Sequence, residues 1–272
     1  MRCWWTAMAA VKDAGGPQWS LDMESIRQEI QRQDPTVISV IVALVVVLVS
    51  LVLWKFLRQR QTSRRAILLV GLSDSGKTLL FIRFLTGKFR KTQTSITATS
   101  AVYRGKGDKG SSFTLVDIPG HDSLRLLFLE QYKAAARAMV FVVDSSAFQR
   151  EVKDVAEFLY HILTDVTLQK NAPPILIACN KQDISMAKSA KLIQQQLEKE
   201  LNTLRVTQSA APSTLESSIS PSNTQLGKKG KDFDFSQVPM KVEFLECSAR
   251  DSKEEEGDAN LSNVEGWLAK LV

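Results

Sequence analysis

Apolar residues fall along the chain in three patterns, each predicting a different element. "VISVIVALVVVLVSLVLW", residues 37–54, runs 18 residues without a charge, and Ser39 and Ser50 are its only strongly polar members. "AILLV", "FTLVDI", "PPILIAC" and "KVEFLEC" are short apolar runs that each end in polar residues or glycine, and they predict buried strands. "KTLLFIRFL" and "EVKDVAEFLYHILTDV" repeat apolar residues at helical spacing. Strands alternating with helices predict an α/β fold, a mostly parallel sheet with helices on both faces. Ligand loops then fall at the carboxyl ends of the strands.

The long run predicts a transmembrane helix over residues 37–54, since at about 1.5 Å per residue it reaches roughly 27 Å. A core helix is rarely apolar on all sides for that length. A signal peptide has a shorter apolar region, a basic start and a small-residue cleavage site. The flanks differ in charge. Lys55, Arg58, Arg60, Arg64 and Arg65 follow the run with no acid among them, whereas Arg27 and Arg32 precede it amid Asp22, Glu24, Glu29 and Asp34. The positive-inside rule therefore places residues 1–36 outside, 55–65 as a short basic linker, and 66–272 as a cytosolic domain. The first twenty residues carry no readable signal.

Composition narrows this picture only a little. At 272 residues, 44% hydrophobic and 24% charged, the chain is an ordinary globular one with room for one or two domains. A net charge of +6, partly concentrated in the linker, requires no nucleic-acid partner. Three scattered cysteines exclude a disulfide framework and a zinc site, and Cys179 and Cys247, which end apolar runs, predict buried thiols. Residues 207–233 are rich in Ser, Pro and Gly and poor in large apolar residues, predicting a disordered insertion before the last strand. Asn260-Leu-Ser262 matches a glycosylation sequon that should stay unused on the cytosolic side.

The chemistry sits just after the strands. Gly71-Leu72-Ser73-Asp74-Ser75-Gly76-Lys77-Thr78 fits G-x-x-x-x-G-K-[ST], and Leu79 continues into a helix. Such glycines let backbone N–H groups curl around phosphates at a helix N-terminus. Lys77 should reach the β- and γ-phosphates and the Thr78 hydroxyl should bind Mg²⁺. Asp117-Ile-Pro-Gly120 ends another strand, where Asp117 can hold Mg²⁺ through water and the Gly120 N–H can meet a γ-phosphate. Asn180-Lys181-Gln182-Asp183 ends a third. The Asp183 carboxylate accepts from guanine N1 and N2, a donor pair that adenine lacks. A backbone N–H of Ser248-Ala249 can meet the guanine oxygen.

In this order the four stretches resemble the Ras superfamily of small GTPases, over residues 65–272. "GLSDSGKTLL" and an anchored N-terminus are most similar to the ADP-ribosylation-factor branch. The single span, basic linker, "GLSDSGKTLLFIRFLTGKF", "TQTSIT" and "DIPGH" resemble the signal recognition particle receptor beta-subunit family more closely still. The resemblance implies GTP and Mg²⁺ as cofactors, an endoplasmic reticulum membrane location with a lumenal N-terminus, and a heterodimer with the receptor's alpha subunit. The ribosome or translocon would be met only indirectly, and nucleic acid not at all.

The resemblance also makes "RKTQTSITATS" the first switch, with Thr92, Gln93, Thr94 and Ser95 near the nucleotide. Alignment on "TSI" makes Ser95 the Mg²⁺-binding hydroxyl, with Thr94 and Thr97 as alternatives. His121 stands where many relatives carry a water-positioning Gln; it is either that group or a surface histidine beside the nucleotide. His161 reads as a surface or boundary residue. Arg250 replaces the family's usual Lys after Ser248-Ala249, at a place where the main contact is backbone. With no arginine finger identifiable in cis, hydrolysis should be slow. The rivals are a constitutively GTP-bound scaffold, another membrane-anchored trafficking GTPase, and a P-loop kinase or ATPase, which Asn180 to Asp183 disfavour.

Overall fold

A computed structural model describes residues 39, 43–51, 65–104, 112–210, 226–228, 230–250 and 260–271. The chain divides into two units, Met1–Gln61 and Thr62–Val272. In the first, residues 43–51 are helical and all exposed, including Leu44, Val46, Leu48 and Leu51. Among the described residues no helix is long and apolar enough to cross a membrane, and the rest of the predicted 37–54 span, Ser39 apart, lies outside them.

The second unit is built on six strands: β1 (Ala66–Val70), β2 (Thr99–Arg104), β3 (Ser112–Asp117), β4 (Ala136–Asp144), β5 (Ile175–Asn180) and β6 (Val242–Glu246). Among the described residues six α-helices accompany them: α1 (Lys77–Thr86), α2 (Asp122–Tyr132), α3 (Phe148–Thr164), α4 (Val166–Asn171), α5 (Ala190–Ala210) and α6 (Ser262–Lys270). The sheet order is β2-β3-β1-β4-β5-β6. Among the described strands, only β2 runs antiparallel, against β3.

Strands covered on both faces need continuous apolar runs rather than alternation, which is why β1 reads "AILLV" and is buried throughout. Leu68 and Val70 join Met139, Phe141, Phe158, Leu159, Leu197 and Leu201 in one core layer. Ile67 and Leu69 join Val140, Val142, Leu80, Phe81, Val264 and Trp267 in the other. Helix α3 meets the sheet through Val155, Ala156, Phe158, Leu159, Ile162 and Leu163, a stripe of helical period, while His161 faces outward.

The predicted insertion is partly built into the fold. Helix α5 extends to Ala210, and Leu226 and Phe233 are buried; residues 211–225 and 229 lie outside the described residues. Phe233 meets Phe235 at 5.4 Å and Phe235 meets Phe244 at 5.1 Å between ring centroids. Arg205 donates to the carbonyls of Lys228 and Lys231. These aromatics are too few to signal a core by composition, but they suffice to pin the far end of the segment.

Register aligns the functional loops. Leu69 pairs with Asp117, Val70 with Phe141, Asp144 with Asn180, and Cys179 with Glu246. The carboxyl ends of five parallel strands thus share one edge, on either side of β1.

Candidate functional site

Two glycines shape the phosphate loop. A Cβ on Gly71 (φ 142°) would lie 2.3 Å from the Val142 carbonyl oxygen, and one on Gly76 (φ 93°) would lie 2.3 Å from Asn180 Nδ2. Only a residue without Cβ fits either place. Asp74, at φ 57°, completes the turn. Helix α1 then starts with neither a side-chain cap nor an acid in its first turn. Its N-terminal N–H groups remain available to an anion.

Lys77 is 5% exposed, and its Nζ donates to the Leu72 carbonyl at 2.5 Å and to Ser75 Oγ at 3.5 Å. Burial pushes its pKa down to about 8, against the opposing pull of Asp117 and Asp74. Asp117, 1% exposed, accepts from Thr78 Oγ1 at 2.7 Å and from Ser95 Oγ at 3.4 Å, and the two hydroxyls are 3.0 Å apart. Burial raises the Asp117 pKa, opposed by Thr78, Lys77 and Ser95. Among the described residues its buried Oδ1 has no hydrogen-bond partner. An orphaned carboxylate oxygen beside two hydroxyls is a hard-oxygen set that suits Mg²⁺. Both charges are desolvated, so a phosphate against Lys77 and a divalent cation by Asp117 would each supply missing counter-charge.

Among the hydroxyls left open by the sequence, the fold brings Ser95 to Asp117, whereas Thr92, Gln93, Thr94 and Thr97 are exposed. Gly120 lies against the phosphate loop: a Cβ there would sit 2.5 Å from Lys77 Nζ and 2.6 Å from both Leu72 C and Ser73 N. His121 is exposed and caps α2, its Nδ1 accepting from the Ser123 N–H at 3.4 Å.

On the base side, Asn180 joins two loops. Its Nδ2 donates to the Ser75 carbonyl at 2.8 Å and its Oδ1 accepts from the Ala249 N–H at 3.0 Å. Asp183 is exposed and accepts from Ser248 Oγ at 2.6 Å, which presents the carboxylate at the rim. The Ser248 N–H donates to the Asn260 carbonyl at 3.3 Å. Lys181, at φ 64°, pairs with Asp144 at 2.6 Å.

Sequence reasoning missed Asp144. Its carboxylate also accepts from the N–H groups of Ser146 and Ala147, and it braces Lys181 through a partner 37 residues away. The one signal was that β4, like β3, ends in Asp. Cys179 and Cys247 are buried free thiols, and burial pushes the Cys247 pKa up to about 12 and the Cys179 pKa higher still. Both stay protonated and inert.

A parallel sheet carrying a glycine-cradled phosphate loop, a buried Asp-hydroxyl cluster and an Asn-Asp base motif along one edge defines the small-GTPase class. The description of the signal recognition particle receptor beta subunit family matches residues 62–242. The chain is 64% identical over 264 residues to the human signal recognition particle receptor subunit beta, covering 96% of this chain and 97% of that protein. It is 62% identical over 262 residues to the mouse protein, at 96% and 97% coverage. Among solved structures, the mammalian SRP receptor matches at 62% identity with a TM-score of 0.67, covering 76% of this chain and 100% of that one. The GDP form of SRb from Chaetomium thermophilum matches at 27% identity and a TM-score of 0.56, covering 77% and 98%. The chain belongs to the signal recognition particle receptor beta subunit family.

Proposed function

We propose that this chain is the GTP-binding subunit of a signal recognition particle receptor, held in the endoplasmic reticulum membrane, and that GTP governs its capture of the alpha subunit. The Lys77–Asp117–Thr78–Ser95 cluster carries this reading, because its buried charges are complementary to a metal-bound triphosphate and not to each other alone. Gly71 to Leu79 would wrap the phosphates, with Lys77 at the β- and γ-phosphates. Thr78, Ser95 and Asp117, the last through water, would hold Mg²⁺, which neutralises phosphate charge when bound. Asn180, Lys181 and Asp183 with Ser248 and Ala249 would read guanine, consistent with the GDP form named for the Chaetomium relative.

Residues 37–54 would span the bilayer. The helical, wholly exposed apolar stretch 43–51 supports this, since such a surface is stable in lipid rather than in water. A permanent span leaves attachment independent of nucleotide, so GTP acts on a partner instead. Thr92 to Ser95 and Gly120 adjoin the γ-phosphate position, and loops of this kind are ordered by γ-phosphate and Mg²⁺. A coupling of roughly 1–3 kcal/mol gives about 5- to 150-fold preference for the GTP form. The test titrates the alpha subunit's N-terminal domain onto full-length chain in detergent, loaded with GDP or a non-hydrolysable GTP analogue. Tighter binding by the analogue form is expected; equal affinity rejects a nucleotide switch.

A second reading, a scaffold that holds GTP and hydrolyses almost none, draws on His121. Its imidazole is engaged through Nδ1 in capping α2. Single-turnover hydrolysis with and without the alpha subunit separates the two.

A further inference from the structure

Arg83 is a buried cation that the nucleotide chemistry leaves unused. It lies in α1, six residues past Lys77, and is 6% exposed amid the apolar layer of Leu80, Phe81 and Phe84. Its Nε donates to the Ala249 carbonyl at 3.2 Å and its Nη1 to the Gly87 carbonyl at 3.2 Å. Its guanidinium carbon stands 5.8 Å from the centroid of the Phe89 ring. Among the described residues, Nη2 has no hydrogen-bond partner.

Burying a guanidinium against carbonyls alone is costly, and a leucine or methionine would fill this layer without that penalty. What an apolar side chain cannot do is hold two carbonyls of two different loops in one rigid fork. The first belongs to the base side of the proposed site, and the second leads into the first switch. Ala249 also donates its N–H to Asn180, and its neighbour Ser248 hydrogen-bonds Asp183. Gly87, at φ 71°, is the left-handed C-cap of α1, from which the chain runs toward Ser95.

We infer that Arg83 is a positioning residue for guanine recognition: it clamps the Ser248–Arg250 loop to the phosphate-binding helix and thereby holds that loop in place against the base motif at Asn180 and Asp183. The loop is then gripped from two sides, by the base motif at Asn180 and Asp183 and by α1 through Arg83. Freed of one grip, it must be ordered anew by each incoming nucleotide, which weakens binding. The same guanidinium ties that loop to Gly87, the end of α1 from which the chain leads into the first switch at Arg90. This inference rests on the reading that the site holds a guanine nucleotide.

The experiment follows nucleotide release from full-length chain in detergent micelles, for the natural sequence, Arg83→Met and Arg83→Lys. Fluorescent GDP is compared with the diphosphate of 2-aminopurine riboside, whose base lacks both the guanine oxygen and the N1–H on the edge that the base motif and this loop would read. Arg83→Met should release GDP about tenfold faster, equivalent to ~1.4 kcal/mol, and the 2-aminopurine nucleotide less than about twofold faster. Arg83→Lys, with its charge and a single donor kept, should fall between and serves if the methionine variant does not fold. Equal acceleration of both nucleotides, or none, overturns the positioning role and leaves Arg83 a packing residue. A natural chain that fails to prefer GDP over ADP overturns the guanine reading itself.

Discussion

Asn180 donates through Nδ2 to the carbonyl of Ser75 at 2.8 Å, across 105 residues of sequence. This bond joins the base-side strand end to the phosphate loop, and the missing side chain of Gly76 is what leaves room for it. The loops at Asn180 and Gly71–Thr78 are therefore mechanically one unit, which under the proposed function couples base to phosphate recognition.

Asn180→Ala should damage stability and nucleotide binding together. It strands the buried Ala249 N–H and the Ser75 carbonyl, and each unpaired group costs about 1–3 kcal/mol. Urea unfolding and GDP release measured on the same sample should both worsen. A loss of binding at unchanged stability would mean that the two loops are held independently.

Gly120→Ala should separate the diphosphate from the triphosphate state. The added methyl meets the backbone at Leu72 and Ser73, which cannot yield as the Lys77 ammonium can. The Asp117–Gly120 loop should fail to close on Leu72 and Ser73, while GDP affinity stays within about threefold, because GDP lacks the γ-phosphate assigned to the Gly120 N–H under the proposed function. Calorimetry with GDP and a GTP analogue reads this directly; full retention of the analogue's extra affinity would contradict it.

Asp183→Asn should exchange guanine for xanthine. The xanthine oxygen needs a donor where the guanine amine needs an acceptor, and loss of the charged partner should cost about 1.5–3 kcal/mol for GTP. Competition between GTP and xanthosine triphosphate is the assay. An unchanged GTP preference would remove Asp183 from the base site.

Asp144 should contribute to acid sensitivity. Burial opposes its ionisation, but Lys181, Ser146 and the Ala147 N–H together outweigh it and hold its pKa below the ordinary 3.8. A carboxyl depressed in the folded state adds stability that is complete above the unfolded value and disappears as pH falls through the folded one. Urea unfolding from about pH 6 to below about pH 4 should therefore show a shallower loss for Asp144→Asn than for the natural chain. Identical slopes would show that the Lys181 pair carries no net stabilisation.

The flanking charges make topology testable. Protease added outside sealed microsomes should remove everything after residue 54, and Asn260 should remain unglycosylated. Protection of the nucleotide-binding unit would reverse the assigned orientation.

Much of the site could be read along the chain because its pieces are local. The phosphate loop from Gly71 to Thr78 is contiguous, and a strand period before it with a helix period after it declares the turn that such a loop needs. Asp117 to Gly120 and Asn180 to Asp183 announce themselves in the same way, each immediately after an apolar run. The parallel sheet followed from the same runs, since strands with no polar face must be covered on both sides.

Contacts between segments were settled only in three dimensions. Ser95, Thr94 and Thr97 are chemically near-equivalent hydroxyls in an irregular stretch, and only the position of Asp117 at the end of β3 singles out Ser95. Asp144 reaches Lys181 because β4 and β5 pair with Asp144 opposite Asn180, a register that neither strand encodes alone. Leu226 and Phe233 sit in a polar segment whose average composition conceals them, and they are buried because α5 and β6 offer a surface. Arg83 looks like one more basic residue on an amphipathic helix until folding brings the Ala249 carbonyl, 166 residues further on, within 3.2 Å. Periodicity and turn chemistry act over a few residues and survive in a linear reading; hydrogen bonds between loops depend on strand order and register, which exist only once the sheet has formed.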